Sequence, residues 1–267
     1  MSFRIPVLIA KSFHYRIRKI HRYLGLLLGM QFLFWTIGGI YFSWSNMDEI
    51  HGDLNRRPAS LMSSNSNFIS PSAVIQKMQS LGQNVDSIND IRLIQLSGQP
   101  FYQLLIKEKL ALTHTNHSKK PEFKVQLANA ITGELRGPLN EFEAIAIAKE
   151  GFIGSAKIRE VKLLTETSTH HEYRSGPLPA YAISFDHPSK STVFVASELG
   201  TIQKIRNDKW RIFDFLWMLH TMDYEGRDNF GNILLRGFSI FGLFTIFSGF
   251  ILFYLSSVKR KKHIQPQ

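Results

Sequence analysis

Two long stretches without a charged side chain constrain this sequence more than anything else in it. Tyr23 to Met47 is one, 25 residues long, and Gly237 to Val258 is the other, 22 residues long. About 23 residues at ~1.5 Å rise reach roughly 35 Å, more than a hydrocarbon core of ~30 Å. Each is expected to form a transmembrane helix, the first over 23–46 and the second over 233–258. A secretory signal has an apolar region of only about 7–15 residues and a small-residue cleavage site. The first run is longer and ends in aromatics, so it reads as a retained anchor. Tyr41, Trp44 and Tyr254 suit the aromatic belts found at membrane interfaces.

Charge distribution sets the expected orientation. The chain has 32 Lys and Arg against 21 Asp and Glu, a formal charge of +11. All the acids lie between Asp48 and Asp228. Arg4, Lys11, Arg16, Arg18, Lys19 and Arg22 precede the first run, and Lys259, Arg260, Lys261 and Lys262 follow the second. Residues 47–232 are neutral. A neutral body with basic ends is not a nucleic-acid footprint. By the positive-inside rule the tails 1–22 and 259–267 face the cytoplasm and residues 47–232 lie outside. In a bacterium this describes a two-pass inner-membrane protein with a periplasmic domain. The absence of cysteine excludes disulfides, thiolate metal sites and a Cys nucleophile.

The runs carry little chemistry. Gly25 and Gly29 make a GxxxG, which permits close helix contact. Phe238, Phe241, Phe244, Phe247, Phe250 and Phe253 are spaced by three. Such a row drifts about 60° per step around a helix and reads as lipid contact rather than a cofactor wall.

Beyond a linker at 47–69, the outer segment reads as two similar halves, 70–137 and 138–207. The first opens with Ser70 as N-cap and Pro71 at the first helical position. Ala73, Val74, Met78 and Leu81 follow at helical spacing, and Gly82 closes the helix. Strand-like runs come at 91–96, 101–107 and 123–130, then a turn at 131–135 and a further short strand. The second half opens with Asn140 and Glu143, a capping box by spacing. Strand-like runs follow at 158–164, 180–185 and 191–197, with a second Gly turn around Gly200. Each half is small for independent stability, so the two are expected to pack together. The expected class is membrane α+β: two transmembrane helices flanking a tandem antiparallel-sheet domain, one helix per repeat. Residues 208–232 read as an interfacial amphipathic segment with Trp210, Phe213, Leu216, Trp217 and Leu219 on its apolar side. Asp223 and Arg227 have i,i+4 spacing, but Gly226 speaks against a helix there, and both read as structural.

A short helix, a strand with a Tyr-x-Leu/Ile core and a strand ending in Thr132-Gly133-Glu134-Leu135 resemble the PepSY domain. Lys19-Ile20-His21-Arg22-Tyr23-Leu24-Gly25-Leu26 resembles the entry into the first span of the PepSY-associated transmembrane family. The stretch from Trp210 to Tyr224, with Arg227-Asp228 and the Gly-Asn-Ile-Leu-Leu-Arg after it, resembles that family's approach to its last span. The resemblance covers nearly the whole chain. It implies inner-membrane proteins associated with iron uptake, among them siderophore-reductase-like relatives that hold haem on membrane histidines. It also implies electron carriers paired with flavin-bearing partners, and PepSY domains that regulate peptidases.

The histidines are therefore the candidate cofactor-binding residues: His21, His220, His51 and His14. Imidazole suits iron, and b-type haem takes one or two axial histidines. His21 stands at the cytoplasmic mouth of the first run and His14 seven residues earlier. His51 and His220 are both expected outside, where they would be able to meet. His21 and His51 are about 45 Å apart along a helix and cannot share an iron within a chain. The second run has no histidine between Leu235 and Lys262. A bis-His haem in the bilayer then needs His21 from two chains, or a partner's ligand. His114 and His117 lack further ligands and read as a solvated loop, as do His170, His171 and His187. HExxH, GxSxG, P-loop and Rossmann patterns are missing, so no catalytic residue and no metal site is assigned. Two readings stand. In one, the chain is a membrane subunit of extracytoplasmic redox or iron handling that passes electrons through haem b, as a homodimer or with a partner. In the other, it is a non-catalytic PepSY module that binds a periplasmic partner such as a peptidase.

Overall fold

A computed structural model describes residues 7–63, 65–108 and 123–261, with side chains from 15 to 257 within those ranges except at 108. His114 and His117 fall outside the described residues, as does the side chain of His14. The chain divides into two compact units: one holds residues up to Ser45 and from Ile212 onward, the other Asn46–Arg211.

The first unit is helical. Helix α1 runs from Val7 to Trp44 and helix α6 from Ile233 to Lys261. Both are long and apolar enough to cross a membrane, α1 over Tyr15–Trp44 and α6 over Ile233–Ser257. The expected basic tail is no separate element in its described part, because Lys and Arg are good helix formers and α1 continues through them. Small residues of α6 set its approach to α1. A Cβ on Gly242 would sit 3.5 Å from the Phe32 ring and one on Gly249 3.3 Å from the His21 ring. Leu28 is fully buried. Phe241, Phe244, Phe247, Phe250 and Phe253 are exposed, while Phe238 packs edge-on against Phe32 and Trp35. An added Cβ at Gly25 or Gly29 would meet nothing within 4 Å, so the GxxxG packs against no other helix of the described chain.

Helix α5 (Asp208–Thr221) lies along α1 for most of its length. Phe213 and Trp217 pack on Phe42, and Gly38 faces the Leu216 carbonyl. This corrects the expected facing of α5: Phe213 and Trp217 cover α1, and Ile212 and Phe215 are the exposed apolar pair. Residues 222–232 link α5 to α6. Arg227 pairs with Asp214, back on α5, while the Asp223 carboxylate accepts the Gly226 and Asn229 backbone N–H groups. A carboxylate capping backbone donors was not legible from the i,i+4 spacing.

The second unit begins with a short helix α2 (Met47–His51) capped by Asn46, then Gly52 in left-handed conformation and a 3-10 turn at Asp53–Asn55. Helix α3 (Pro71–Ser80) leads into strands β1 (Val85–Leu96), β2 (Gln99–Glu108), β3 (Phe123–Asn129) and β4 (Leu135–Arg136). Helix α4 (Glu141–Gly151) leads into β5 (Ile158–Leu164), β6 (Ala180–Phe185), β7 (Thr192–Ala196) and β8 (Thr201–Arg206). Each set forms a four-stranded antiparallel meander in sequence order. The chain is thus mixed α+β, two apolar helices flanking two small antiparallel sheets. Strand β1 starts six residues before the expected run. Asp86, Asn89 and Asp90 are weak strand formers, tolerated because β1 is an edge strand with irregularities at 85–87 and 88–90.

Helix α3 packs Val74 and Met78 on Tyr102, Leu104, Ile106 and Ala128 of the first sheet. Helix α4 packs Ala144 and Ala148 on Ile183, Phe185, Val193, Val195 and Ile205, and Leu96 and Leu127 of the first sheet join this second core. Helix α4 and its sheet therefore share one core with the first half.

Candidate functional site

Of the four candidate histidines, His21 has the most defined chemistry. Its Nδ1 lies 2.8 Å from the Ser248 hydroxyl, and that hydroxyl lies 2.8 Å from the Thr245 carbonyl. A serine has one proton to give. With that proton on the carbonyl, as is common for serines in helices, the Ser248 lone pair would receive the proton of His21 Nδ1. The Nε2 lone pair is left over, which is the tautomer a metal-ligating imidazole needs, with its other nitrogen held by a hydrogen bond.

His220 is held differently. It stacks on Trp217 at 6.1 Å, and Trp35 and Phe42 each stand 5.8 Å away. Its Nδ1 is enclosed and accepts or donates no hydrogen bond. Three aromatic rings pack around the imidazole, and its Nδ1 lacks the second hydrogen bond that orients a ligand. The backbone here is better served than the side chain. The Gln31 amide donates to the Leu219 carbonyl at 2.6 Å, the Trp35 indole to the His220 carbonyl at 2.9 Å, and the Asn232 amide to the Thr221 carbonyl at 2.9 Å. The last three carbonyls of α5, which no helix can satisfy internally, are thus bonded by side chains.

His51 is exposed on α2 and belongs to the other compact unit. Among the described residues no group of three His, Asp or Glu side chains is placed to hold a metal ion. Tested against b-type haem, His21 is the candidate among the described side chains whose Nδ1 is held by a hydrogen bond. The His220 Nδ1 is not so held, and α6 has no histidine.

The second unit carries a polar groove of about 590 Å³ on the outer face of the second sheet. The register places Glu160, Ser184 and Thr192 in one row and Lys162, Ala182 and Phe194 in the next. Small side chains make the floor, with the buried Ser184 and Thr192 hydroxyls 3.1 Å apart. Tyr173 stacks on the lining residue Phe194 at 4.8 Å and donates its hydroxyl to the Pro177 carbonyl. Burial pushes the Tyr173 phenol well above its ordinary range. At the rim, Arg211 makes a two-armed pair with Glu172 (2.5 and 3.0 Å) and a further one with Asp208 at 2.9 Å. Burial alone would lower the Arg211 pKa, but the two carboxylates outweigh it and raise it. Arg206 is driven the other way, to about 10, first by burial and then by the neighbouring Arg174 charge, against Glu172 and Asp53. It rests 4.3 Å above the Trp210 ring, with Arg174 over the same ring at 5.5 Å. Trp210 is therefore a buried anchor for two guanidinium groups, not part of an exposed apolar side as its spacing suggests.

Sequence reasoning missed Ser248, Gln31 and Asn232. A signal existed for the first two. A Gln or Ser inside an otherwise apolar span needs a partner, because an unpaired polar group is costly there. Compared with protein-family models, with curated proteins and with solved structures, the chain matches none of them.

Proposed function

We propose that this chain is a two-pass inner-membrane protein of the PepSY-associated transmembrane type, acting as the membrane subunit of an extracytoplasmic redox or iron-handling system. Its termini face the cytoplasm and its two sheets lie in the periplasm. The reading rests on one observation, the hydrogen-bonded chain His21–Ser248–Thr245 between the two apolar helices. His21 would hold b-type haem through Nε2. Bound there, haem supplies a one-electron couple within the bilayer. Ser248 fixes the tautomer and rotation of the ring. Gly249 lets α6 come close enough for that bond. A bis-His haem at this position would take His21 from two chains of a homodimer, with one haem per two chains, or a partner's ligand.

The test is an absorption spectrum of the full chain, gently solubilised from haem-replete cells, oxidised and then reduced with dithionite. A Soret band with sharp reduced α and β bands is expected. It should vanish in His21→Ala and persist in His220→Ala. A colourless protein, from cells that also express its membrane neighbours, would overturn the haem reading.

The groove on the second sheet favours a second reading. Paired charges of both signs over a hydroxyl floor suit a polar protein segment. The chain would then be an anchored, non-catalytic module for a periplasmic partner such as a peptidase. That reading expects a colourless protein, and loss of partner binding in Arg159→Glu, since Arg159 lines the groove.

A further inference from the structure

We propose that helix α5 stands upright beside α1 in the outer leaflet of the bilayer, with Ile212 and Phe215 as its lipid-facing surface. The inference rests on the two-span reading and goes beyond it, because an amphipathic segment beside a span would ordinarily lie flat on the membrane.

Three independent observations carry it. The first is depth. The partners of α5 along α1 run from Phe42, against Phe213, through Gly38, against the Leu216 carbonyl, to Gln31, bonded to the Leu219 carbonyl. Gln31 and Phe42 are eleven positions apart, about 16 Å along the helix axis. Helix α5 thus follows α1 inward, antiparallel to it, well inside the candidate span that ends at Trp44.

The second is backbone satisfaction. Free helix ends are ordinarily served by water. Here Gln31, Trp35 and Asn232 bond the carbonyls of Leu219, His220 and Thr221. A helix end completed by side chains is what a layer poor in water demands. The link that follows is also closed on itself: Asp223 takes two backbone donors, and the Thr221 hydroxyl lies 3.1 Å from the Arg227 carbonyl.

The third is surface chemistry. Ile212 is 50 % and Phe215 54 % exposed on the side of α5 that faces away from α1. Ile37 and Ile40 of α1 and Ile233 and Leu234 of α6 are exposed as well. All three helices of this unit thus present apolar side chains outward, and the occupant of those on α5 is the glycerol and upper acyl region of the lipid.

The chain has no cysteine, so single-cysteine variants need no background removed. Phe215→Cys, Ile212→Cys, Phe247→Cys and Leu61→Cys are each spin-labelled in the full chain in phosphatidylcholine vesicles. Collision with oxygen is compared with collision with a water-soluble nickel chelate. Phe247 on α6 is the lipid reference, and Leu61, 98 % exposed in the linker, is the water reference. The labels at 215 and 212 should be several-fold more shielded from nickel than the one at 61. If 247 is shielded while 212 and 215 collide with nickel as 61 does, the proposal fails and the two-span reading survives. If 247 also collides freely with nickel, the two-span reading fails and takes the proposal with it.

Discussion

Asp214 on α5 and Arg227 in the link before α6 form an ion pair from which water is nearly excluded. Asp214 is 3 % exposed, and the Arg227 side chain 17 %. Removing one partner from such a pair strands a buried charge and typically costs about 3–5 kcal/mol, whereas replacing both with apolar groups is often nearly neutral. Arg227→Leu should therefore lower the melting temperature of the detergent-solubilised protein sharply. Adding Asp214→Leu should recover most of the loss. A double variant as unstable as the single one would mean that the pair orders the link by more than charge compensation.

The Asp223 carboxyl is held below its ordinary range, first by the Asn229 backbone N–H and then by that of Gly226. A carboxyl with a depressed folded pKa contributes stability that is full above its unfolded value, about 3.9, and is lost as pH falls through the folded value. Asp223→Asn loses the charge and sets an amide NH2 against a backbone donor, at a cost of roughly 1–3 kcal/mol. The gap between wild type and variant in thermal melts should be constant from pH 7 to pH 5. It should then narrow below about pH 4. A gap that stays constant to pH 3 would refute the ionised cap.

Gly200 joins the two repeats. Its φ is +71°, and a Cβ there would lie 2.9 Å from Leu96 and 3.3 Å from Leu127, both in the shared core. Gly82 has a similar φ of +79° but open space around it. Gly82→Ala should cost only the left-handed penalty, about 1–2 kcal/mol. Gly200→Ala adds overpacking, typically about 1–3 kcal/mol more. Equal losses in the two variants would show that the Leu96–Leu127 contact yields easily.

Gln31 is the polar side chain of the first span that closes the end of α5. Gln31→Leu keeps the volume and removes the donor, leaving the Leu219 carbonyl without it at a cost of about 1–3 kcal/mol. Hydrogen exchange in the last turn of α5 should accelerate with no change in the sheets. Gln31→Glu should be worse than Gln31→Leu, since it sets an oxygen against an oxygen. Unchanged exchange in α5 would remove Gln31 from the cap.

Local chemistry was legible in the sequence wherever it decided the outcome. The uncharged runs around 23–47 and 237–258 became the two long apolar helices because an uninterrupted apolar stretch of that length has few other solutions. Ser70-Pro71 starts α3, and Asn140 with Glu143 forms a full capping box, because both are bonds within one turn. The Gly turns at 133 and 200 fall where a positive φ is required. The runs 158–164 and 180–185 coincide with β5 and β6.

What the sequence left open concerned which surface meets which. Periodicity gave α5 an apolar side of Trp210, Phe213, Leu216, Trp217 and Leu219, but did not show that Phe213 and Trp217 would turn to Phe42 and leave Ile212 and Phe215 outside. Spacing offered Asp223 to Arg227, while the fold gave Arg227 to Asp214, thirteen residues earlier. The bond from His21 to Ser248 joins residues 227 apart. Composition and spacing determined the elements, because helix, turn and cap energies are local. The tertiary structure decided their partners, because burial and hydrogen bonding between distant segments depend on distances in space that no short window of sequence contains.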